Sequence, residues 1–240
     1  MDRQQDEDEA PHESSWEENL GSTQETRAPL NRTAVLDAAV AMADEHGLGS
    51  ISMRKLGEEL GVEAMSLYNH VANKEDLLDG MVDRVFAELG TPDPGEPWRE
   101  ALGRCAHTTR EALGRHRWAI AIMDSRSSPG PATMRRQDSI IGLLRANGFS
   151  LSLTAHTIAA FDAYVYGFAM QEAALPFDTH AEVTELAATL LEQMGATYPH
   201  FAEFAVGHVL KPGYDFGEEF EFGLELVLEG VERRLVDSTE

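Results

Sequence analysis

The sequence has a single cysteine, few basic residues and no long apolar segment, and each shortage excludes a class of protein. Cys105 has no second cysteine with which to form an internal disulfide, and a lone cysteine more often packs as a small hydrophobe than reacts. No uncharged apolar run has the length of a membrane span, and no N-terminal secretion signal is evident. We therefore expect a cytoplasmic protein that does not associate with membranes.

The sequence also lacks the residue patterns of common catalytic and metal centres. It has no Ser-His-Asp or Cys-His arrangement at an interpretable spacing and no glycine-rich phosphate loop. His107 and His116 are nine residues apart, whereas helical metal-binding histidines are usually separated by about four. We predict no catalytic residues, no metal ligands and no cofactor. An enzyme or a ligand carrier is an alternative class of protein, in which the helical motif described below would be vestigial.

Basic residues are scarce throughout, which would ordinarily disfavour binding to nucleic acid. The chain has 42 acidic and 19 basic residues and a formal net charge of -23. Even residues 28–90 carry 11 acids and 5 bases. Since lysine and arginine normally neutralise the phosphates, any DNA binding depends on where these few bases lie. Salt confines distant acids to a weak role beyond about 10 Å.

Composition divides the chain into three segments. Residues 1–27 combine acids, glutamine and serine with almost no aliphatic side chains, which predicts a disordered acidic tail. Such a tail is either simply solvated or competes with DNA for a basic face. The Pro/Gly-rich stretch 91–97 separates a domain at 28–90 from a larger one at 91–240. No alternating strand pattern occurs, so we predict an all-α fold.

The segment 28–90 contains four short helical patterns. The first ends at Gly47, and the second is capped by Ser52 and ends at Gly61. A third, short helix is expected from about Ala64 to His70, and Asn73 followed by two acids predicts the start of a fourth.

Residues 52–78 have the pattern of a helix-turn-helix. Two helices that cross steeply through a tight turn need a small residue at their contact and a glycine in the turn, which Gly57 and Gly61 supply. Val62 and Leu67 stand at the spacing of the apolar anchors. In such a unit the second helix enters the major groove and the first crosses the DNA backbone.

The remaining side chains of this unit are hydrogen-bond donors that suit bases and phosphates. Arg54 can read guanine and Asn69 can pair with adenine, whereas Ser52, Tyr68 and Lys74 suit phosphate oxygens. The alternative is a solvated face of a small helical bundle. The predicted DNA-binding residues are Ser52, Arg54, Lys55, Ala64, Ser66, Tyr68, Asn69, His70 and Lys74.

At these residues the chain resembles the tetracycline-repressor (TetR) family. Residues 30–81 are similar to the DNA-binding domain of that family, and the most specific part is the run with Leu67, Tyr68, His70, Val71, Asn73 and Lys74. The segments 97–98, 148–150 and 222–235 resemble the C-terminal domain of the tetracycline-repressor subgroup. The resemblance implies an omega-shaped homodimer with a four-helix bundle between the subunits. It also implies a ligand cavity whose filling changes the angle between the two DNA-reading heads.

Two later segments are predicted to be the dimer helices. Residues 152–175 form a long helical pattern in which small residues repeat every four positions, so that another helix can approach closely. The final helix, about Asp215 to Val236, is apolar along one side and acidic elsewhere. The alternative is that both helices only bury into their own subunit. The predicted dimerisation residues are Ala155, Ala159, Ala163, Gly167, Phe222 and Leu226.

An apolar and aromatic set in the second domain predicts the wall of a ligand cavity, although such a set alone is more often ordinary core. Where tetracycline-binding relatives hold drug and magnesium, the resemblance places Cys105, Thr109, Met123 and Ile140, which favours neither ligand. We expect a mainly hydrophobic effector, oriented by Gln171, Thr109 or His156. The predicted ligand-binding residues are Cys105, Thr109, Trp118, Met123, Ile140, Leu144, Phe161, Tyr164, Phe168 and Gln171.

Together these patterns predict a DNA-binding transcriptional regulator. An N-terminal helix-turn-helix domain would bind a palindromic double-stranded operator as a homodimer, and a C-terminal helical bundle would bind a small-molecule effector that releases the DNA. An activator of the same fold needs the same DNA contacts, so the sequence leaves repressor and activator open.

Overall fold

A computed structural model describes residues 30–123, 129–175, 184–186, 188–189, 191–192 and 196–237, so the predicted acidic tail at 1–27 lies outside it. Within these ranges the secondary structure is helical and no strand occurs, which confirms the all-α prediction. The helices are α1 (Arg32–His46), α2 (Met53–Leu60), α3 (Ala64–Leu67), α4 (Lys74–Glu88), α5 (Trp98–Arg115), α6 (Arg117–Met123), α7 (Pro131–Ala146), α8 (Leu151–Ala173), α9 (Pro199–Phe204) and α10 (Glu218–Asp237). None of them is both long and apolar enough to cross a bilayer.

Side-chain caps begin the helices of the N-terminal region as the sequence predicts. The hydroxyl of Ser52 accepts a hydrogen bond from the Lys55 amide at 3.3 Å and opens α2. The side chain of Asn73 accepts one from the Asp76 amide at 2.8 Å and opens α4. Each cap satisfies an amide that the first helical turn leaves without a partner.

The turn between α2 and α3 depends on two glycines. Gly61 ends α2 at φ 68°, a left-handed conformation that glycine adopts without steric cost. The amide of Val62 then donates to the carbonyl of Gly57 at 2.9 Å, which closes the end of α2. A Cβ atom on Gly57 would lie 2.8 Å from the Val62 carbonyl oxygen. Of the two predicted apolar anchors, Leu67 is fully buried and Val62 is half-buried, and Leu56 of α2 is fully buried as well.

Helix α3, the second helix of the predicted helix-turn-helix, is shorter than predicted. Helix α3 ends at Leu67 rather than at His70, and Tyr68, Asn69 and His70 form a turn. The amides of His70 and Val71 both donate to the Leu67 carbonyl, which tightens this end of the helix. The chain must reverse here within six residues to reach the Asn73 cap of α4.

Helices α5, α7, α8 and α10 enclose one apolar core in the C-terminal region. Its fully buried members include Leu102, Leu143, Phe149 and Phe220. The Tyr164 hydroxyl donates to the Phe220 carbonyl at 2.8 Å, and a Cβ atom on Gly223 would overlap the Tyr164 ring, so α8 and α10 pack closely. Helix α10 begins three residues later than predicted.

We expect Gly57→Ala to destabilise the protein, because the new methyl group meets backbone atoms of the α2–α3 turn that cannot move aside. The expected loss in the free energy of unfolding is about 1–3 kcal/mol. Urea denaturation followed by circular dichroism measures it. Gly103→Ala is the matched control, since a Cβ atom there meets nothing within 4 Å and α5 should gain about 0.5–1 kcal/mol. Equal effects of the two substitutions would contradict the close contact at Gly57.

Candidate DNA-binding and effector sites

The predicted DNA-binding residues lie on α2, on α3, in the turn after α3 and at the start of α4. The side chain of Arg54 is 79% exposed, and its ion pair with Glu58 spans 3.3 Å. An exposed pair of this kind contributes little, so Arg54 can exchange Glu58 for a base or phosphate. Six of the predicted residues are exposed: Ser52, Arg54, Lys55, Tyr68, Asn69 and Lys74. The other three, Ala64, Ser66 and His70, are half-buried. Their contacts with DNA remain predictions.

An arginine of α1 holds the turn that follows α3. The guanidinium of Arg32 donates to both carboxylate oxygens of Asp76, at 2.6 and 2.9 Å, and to the His70 carbonyl at 2.8 Å. The hydrogen bond from Arg32 lowers the pKa of Asp76, which also accepts from the Ala72 amide. Arg32 is not among the predicted residues, because its partner Asp76 is 44 residues away and no local pattern signals the contact.

A buried histidine joins the DNA-binding head to the C-terminal domain. His116 follows α5, and its Nδ1 lies 2.8 Å from Asp44 of α1 while its Nε2 lies 3.3 Å from Glu88 of α4. The indole of Trp118 donates to the same Asp44 oxygen at 2.6 Å. Burial alone would raise the pKa of Glu88, but hydrogen bonds from Arg115 and His116 outweigh burial and lower it. The Asp44 carboxylate of α1 is therefore the hydrogen-bond partner of two side chains of the C-terminal domain, His116 and Trp118.

This position of Trp118 differs from the expected one. Trp118 packs beside His116 at the junction formed by Asp44, Glu88, His116 and Trp118. It does not belong to the apolar core around Phe161 and Phe168. Its role as a ligand contact remains a prediction.

Helices α4 and α7 are tied together at two points. The carboxylate of Asp83 accepts from the amide and the hydroxyl of Thr133, at 2.9 and 3.0 Å, near the start of α7. One turn further along α7, Arg136 donates to the Gly90 carbonyl just beyond the end of α4, at 3.2 Å. A shift of α7 must therefore displace α4, which also belongs to the DNA-binding head.

Arg136 is a buried charged residue among the side chains of the predicted ligand cavity, and it was not among the predicted ligand-binding residues. Only 5% of this residue is exposed, and its other nitrogen donates to the Thr109 hydroxyl at 2.9 Å and to the Cys105 carbonyl at 3.3 Å. Burial raises the pKa of the Cys105 thiol, and the nearby charge of Arg136 offsets part of this increase. The sequence contained a signal for this arginine, because Arg136, Ile140 and Leu144 share one face of α7.

The other predicted ligand-binding residues divide between the core and its edge. Phe168 stacks on Phe216 with ring centroids 4.9 Å apart, and the Arg110 guanidinium lies over the Phe168 ring at 5.1 Å. Five of these residues belong to one apolar core: Cys105, Ile140, Leu144, Phe161 and Phe168. Thr109 is also buried, and Tyr164 packs against the core. Met123 is half-buried and Gln171 is exposed. Contact of these residues with a ligand remains a prediction.

The predicted dimerisation residues lie on the outer sides of α8 and α10. Phe222 is 67% exposed and Leu226 is 54% exposed, which is unusual for large apolar side chains on packed helices. Ala155, Ala159 and Ala163 are exposed on α8, and Gly167 is half-buried. A groove of about 490 Å³ runs between the two helices, lined in part by His156, Ala160 and Leu226. Burial in the subunit's own core therefore does not account for these faces.

Helices α2 and α3, which cross through a glycine turn and are joined by α4 to a larger helical domain, define a helix-turn-helix regulator. Residues 35–81 match the family "Bacterial regulatory proteins, tetR family", and residues 91–235 match "Tetracyclin repressor-like, C-terminal domain". The chain belongs to the TetR family of transcriptional regulators, as the sequence resemblance predicted.

Similar proteins include regulators from actinomycetes and tetracycline repressors. The transcriptional repressor DrrR1 of Streptomyces coeruleorubidus is 34% identical over 90% of this chain and 83% of its own length. Tetracycline repressor protein class D of Escherichia coli is 31% identical over 60% of this chain and 67% of its own length. The crystal structure of ActR from Streptomyces coelicolor in complex with actinorhodin has a TM-score of 0.71 and is 28% identical, covering 87% of this chain and 99% of that one.

We expect Asp44→Ala to destabilise the protein by about 2–4 kcal/mol, because the buried His116 and Trp118 donors lose their shared acceptor. Urea denaturation measures the loss. Asp37→Ala is the control on the same helix, since Asp37 pairs with Arg84 at the surface and its removal should cost less than about 1 kcal/mol. A loss for Asp44→Ala as small as that of the control would show that the junction contributes little to stability.

Proposed function

We propose that this regulator is a homodimeric repressor, which binds a palindromic operator and is released by a small, mainly hydrophobic molecule. The observation that carries the proposal is the pair of apolar faces on α8 and α10, which remain exposed beside a well-packed core. A monomer gains nothing from such faces, whereas a two-fold dimer buries each against its copy. Acting on DNA, the protein would work in the cytoplasm.

An unpaired hydroxyl group in the groove between α8 and α10 also supports dimerisation. Among the buried side-chain oxygens and nitrogens of the described residues, the Thr157 hydroxyl has no hydrogen-bond partner, and Thr157 lines this groove. An unpaired buried hydroxyl is unfavourable, and a second subunit seated in the groove can supply its partner. Arg234 and Ser152 line the same groove and offer further polar contacts.

A palindromic operator follows from the two-fold symmetry of such a dimer. The two recognition turns would meet successive major grooves, about 34–36 Å apart, or a multiple of that distance. Three of the five bases in residues 28–90, namely Arg54, Lys55 and Lys74, lie on the elements that would face DNA. Affinity should therefore depend strongly on these residues and fall steeply with salt.

Release by a ligand would act through α4. Effector binding that prefers another position of α7 or α6 would displace α4 through Asp83, Arg136 and the His116 junction. Only such a differential preference can shift the equilibrium between DNA-binding and released forms. A mainly hydrophobic effector suits the aromatic interior, and the ActR structure with actinorhodin offers a precedent in a relative.

We expect Arg54→Ala and Lys74→Ala to weaken operator binding in different ways. Loss of a base-reading arginine should cost about 1–3 kcal/mol and relax the preference at one base pair in each half-site. Loss of a phosphate-binding lysine should weaken all sequences alike and reduce the salt slope by about one. Gel shifts with operator variants at several salt concentrations distinguish the two. Arg84→Ala is a control, since Arg84 pairs with Asp37 on the side of α4 that faces α1.

If the Arg54→Ala variant keeps the full base preference of the unmodified protein, the assignment of Arg54 to base reading is wrong. Unchanged binding by both variants would exclude the proposed DNA-binding surface altogether.

We expect Leu226→Asp to dissociate the dimer, because it places an unpaired carboxylate in the proposed interface. Light scattering coupled to size-exclusion chromatography at micromolar concentration measures the mass. Met134→Asp is the matched control: Met134 is 53% exposed, close to the 54% of Leu226, but lies on α7. A protein that is monomeric before substitution, or equal dissociation by both variants, would exclude this interface.

A further inference from the structure

Two side chains fix the backbone that joins the recognition turn, residues 68–70, to α4. The guanidinium of Arg32 donates to the His70 carbonyl at 2.8 Å and to both carboxylate oxygens of Asp76, at 2.6 and 2.9 Å. One of these oxygens also accepts from the Ala72 amide at 2.7 Å. The pair therefore holds a carbonyl at one end of this short link and an amide at the other.

Little else holds the recognition turn in place. Its three amides donate to carbonyls of α3, and its side chains have no hydrogen bond to any other described residue. Val71, which follows the turn, is buried and anchors it to the apolar core of the head. The direction in which the turn presents its side chains relative to α4 therefore depends on the contacts of Arg32 and Asp76.

The pair is part of the packing between α1 and α4. A Cβ atom on Gly80 of α4 would lie 2.6 Å from a methyl carbon of Leu36 and 3.3 Å from a guanidinium nitrogen of Arg32. Helix α4 thus passes α1 closely enough for Arg32, at the start of α1, to reach Asp76. The two charged side chains are 44% and 32% exposed, and an ion pair this accessible adds little to stability. Its specific effect is on the position of residues 70–72.

We propose that Arg32 and Asp76 are positioning residues for DNA recognition, which hold the recognition turn at the angle to α4 that lets both elements contact one half-site. The inference rests on the proposed function and adds to its DNA-binding unit two residues that need touch neither base nor phosphate. Lys74, a predicted phosphate contact, lies two residues before Asp76 in the first turn of α4. The pair therefore links the base-reading and phosphate-binding parts of the unit.

The sign of one substitution distinguishes positioning from charge. Asp76 is an acid beside the proposed DNA-binding surface, so charge alone predicts that its removal strengthens binding to phosphates. Positioning predicts the reverse, because Arg32 and the Ala72 amide both lose their acceptor. Arg32→Lys is the complementary test: a direct phosphate contact by Arg32 would survive it, whereas the bidentate geometry would not.

The probe is a DNA duplex that the unmodified full chain selects from a random pool, and a shuffled duplex of the same composition serves as unrelated DNA. Fluorescence anisotropy gives the affinities for both duplexes at one salt concentration. The variants are Asp76→Ala, Arg32→Lys and their combination. Glu75→Ala is the matched control, since Glu75 is an exposed acid in the same helical turn. Urea denaturation and hydrogen–deuterium exchange at residues 68–72 are measured without DNA.

We expect each single variant to weaken binding to the selected duplex about fivefold or more, the effect of losing one base contact. Binding to the shuffled duplex should not weaken by more than about twofold, because the phosphate-binding residues remain. The double variant should be within about twofold of the weaker single variant, since the two residues act as one unit. Glu75→Ala should bind both duplexes at least as tightly as the unmodified protein.

Exchange at residues 68–72 should be faster in Asp76→Ala than in Glu75→Ala, and both proteins should remain folded under the assay conditions. Arg32→Lys keeps the charge of α1 and decides the test by itself if Asp76→Ala does not fold.

Unchanged or tighter binding of the selected duplex by Asp76→Ala, or full specificity in Arg32→Lys, would overturn the assignment. A parallel loss of affinity for both duplexes would overturn it as well, because positioning acts on recognition and not on general attraction to DNA. If the unmodified protein selects no duplex, the proposed function fails and this inference fails with it. Selection of a duplex that all variants bind equally well overturns the inference alone.

Discussion

Helix α4 is attached at its C-terminal end to the C-terminal domain, and this attachment sets the orientation of the helix-turn-helix. This helix belongs to the DNA-binding head, where its first turn is fixed by Arg32 and Asp76. Its other end is held by the C-terminal domain, because Arg136 binds the carbonyls just beyond it and Glu88 meets His116. The orientation of the head is therefore set by contacts outside the head, which is what a regulator that responds to a ligand requires.

Buried hydrogen bonds fix the geometry of the attachment between α4 and the C-terminal domain, in addition to stabilising it. Apolar contacts between helices tolerate small sliding movements, whereas a hydrogen bond such as that from Trp118 to Asp44 is lost within about 1 Å of displacement. Loss of a buried hydrogen bond leaves both groups unsatisfied. The hydrogen bonds of His116 and Trp118 therefore fix the relative position of α1, α4 and α6 more closely than apolar packing alone would.

The acidic composition has a structural counterpart in how the few bases are used. Arg32, Arg110 and Arg136 are committed to contacts within the chain, with Asp76, with Glu172 and with buried oxygens. Arg54 and Lys74 are left exposed on the elements of the DNA-binding unit. In the proposed complex, so few bases would give weak non-specific binding and leave discrimination to base contacts.

Features that depend on neighbouring residues could be predicted from the sequence. The caps at Ser52 and Asn73, the turn at Gly61 and the family were all predicted, because each is encoded by side chains and backbone preferences within a few positions. Only the tertiary structure placed Trp118 at the junction and Arg136 beside Thr109, since these hydrogen-bonded partners are separated by 74 and 27 residues. A helical pattern tells which face is apolar, but which helix meets that face, and which charge is buried there, is decided by packing.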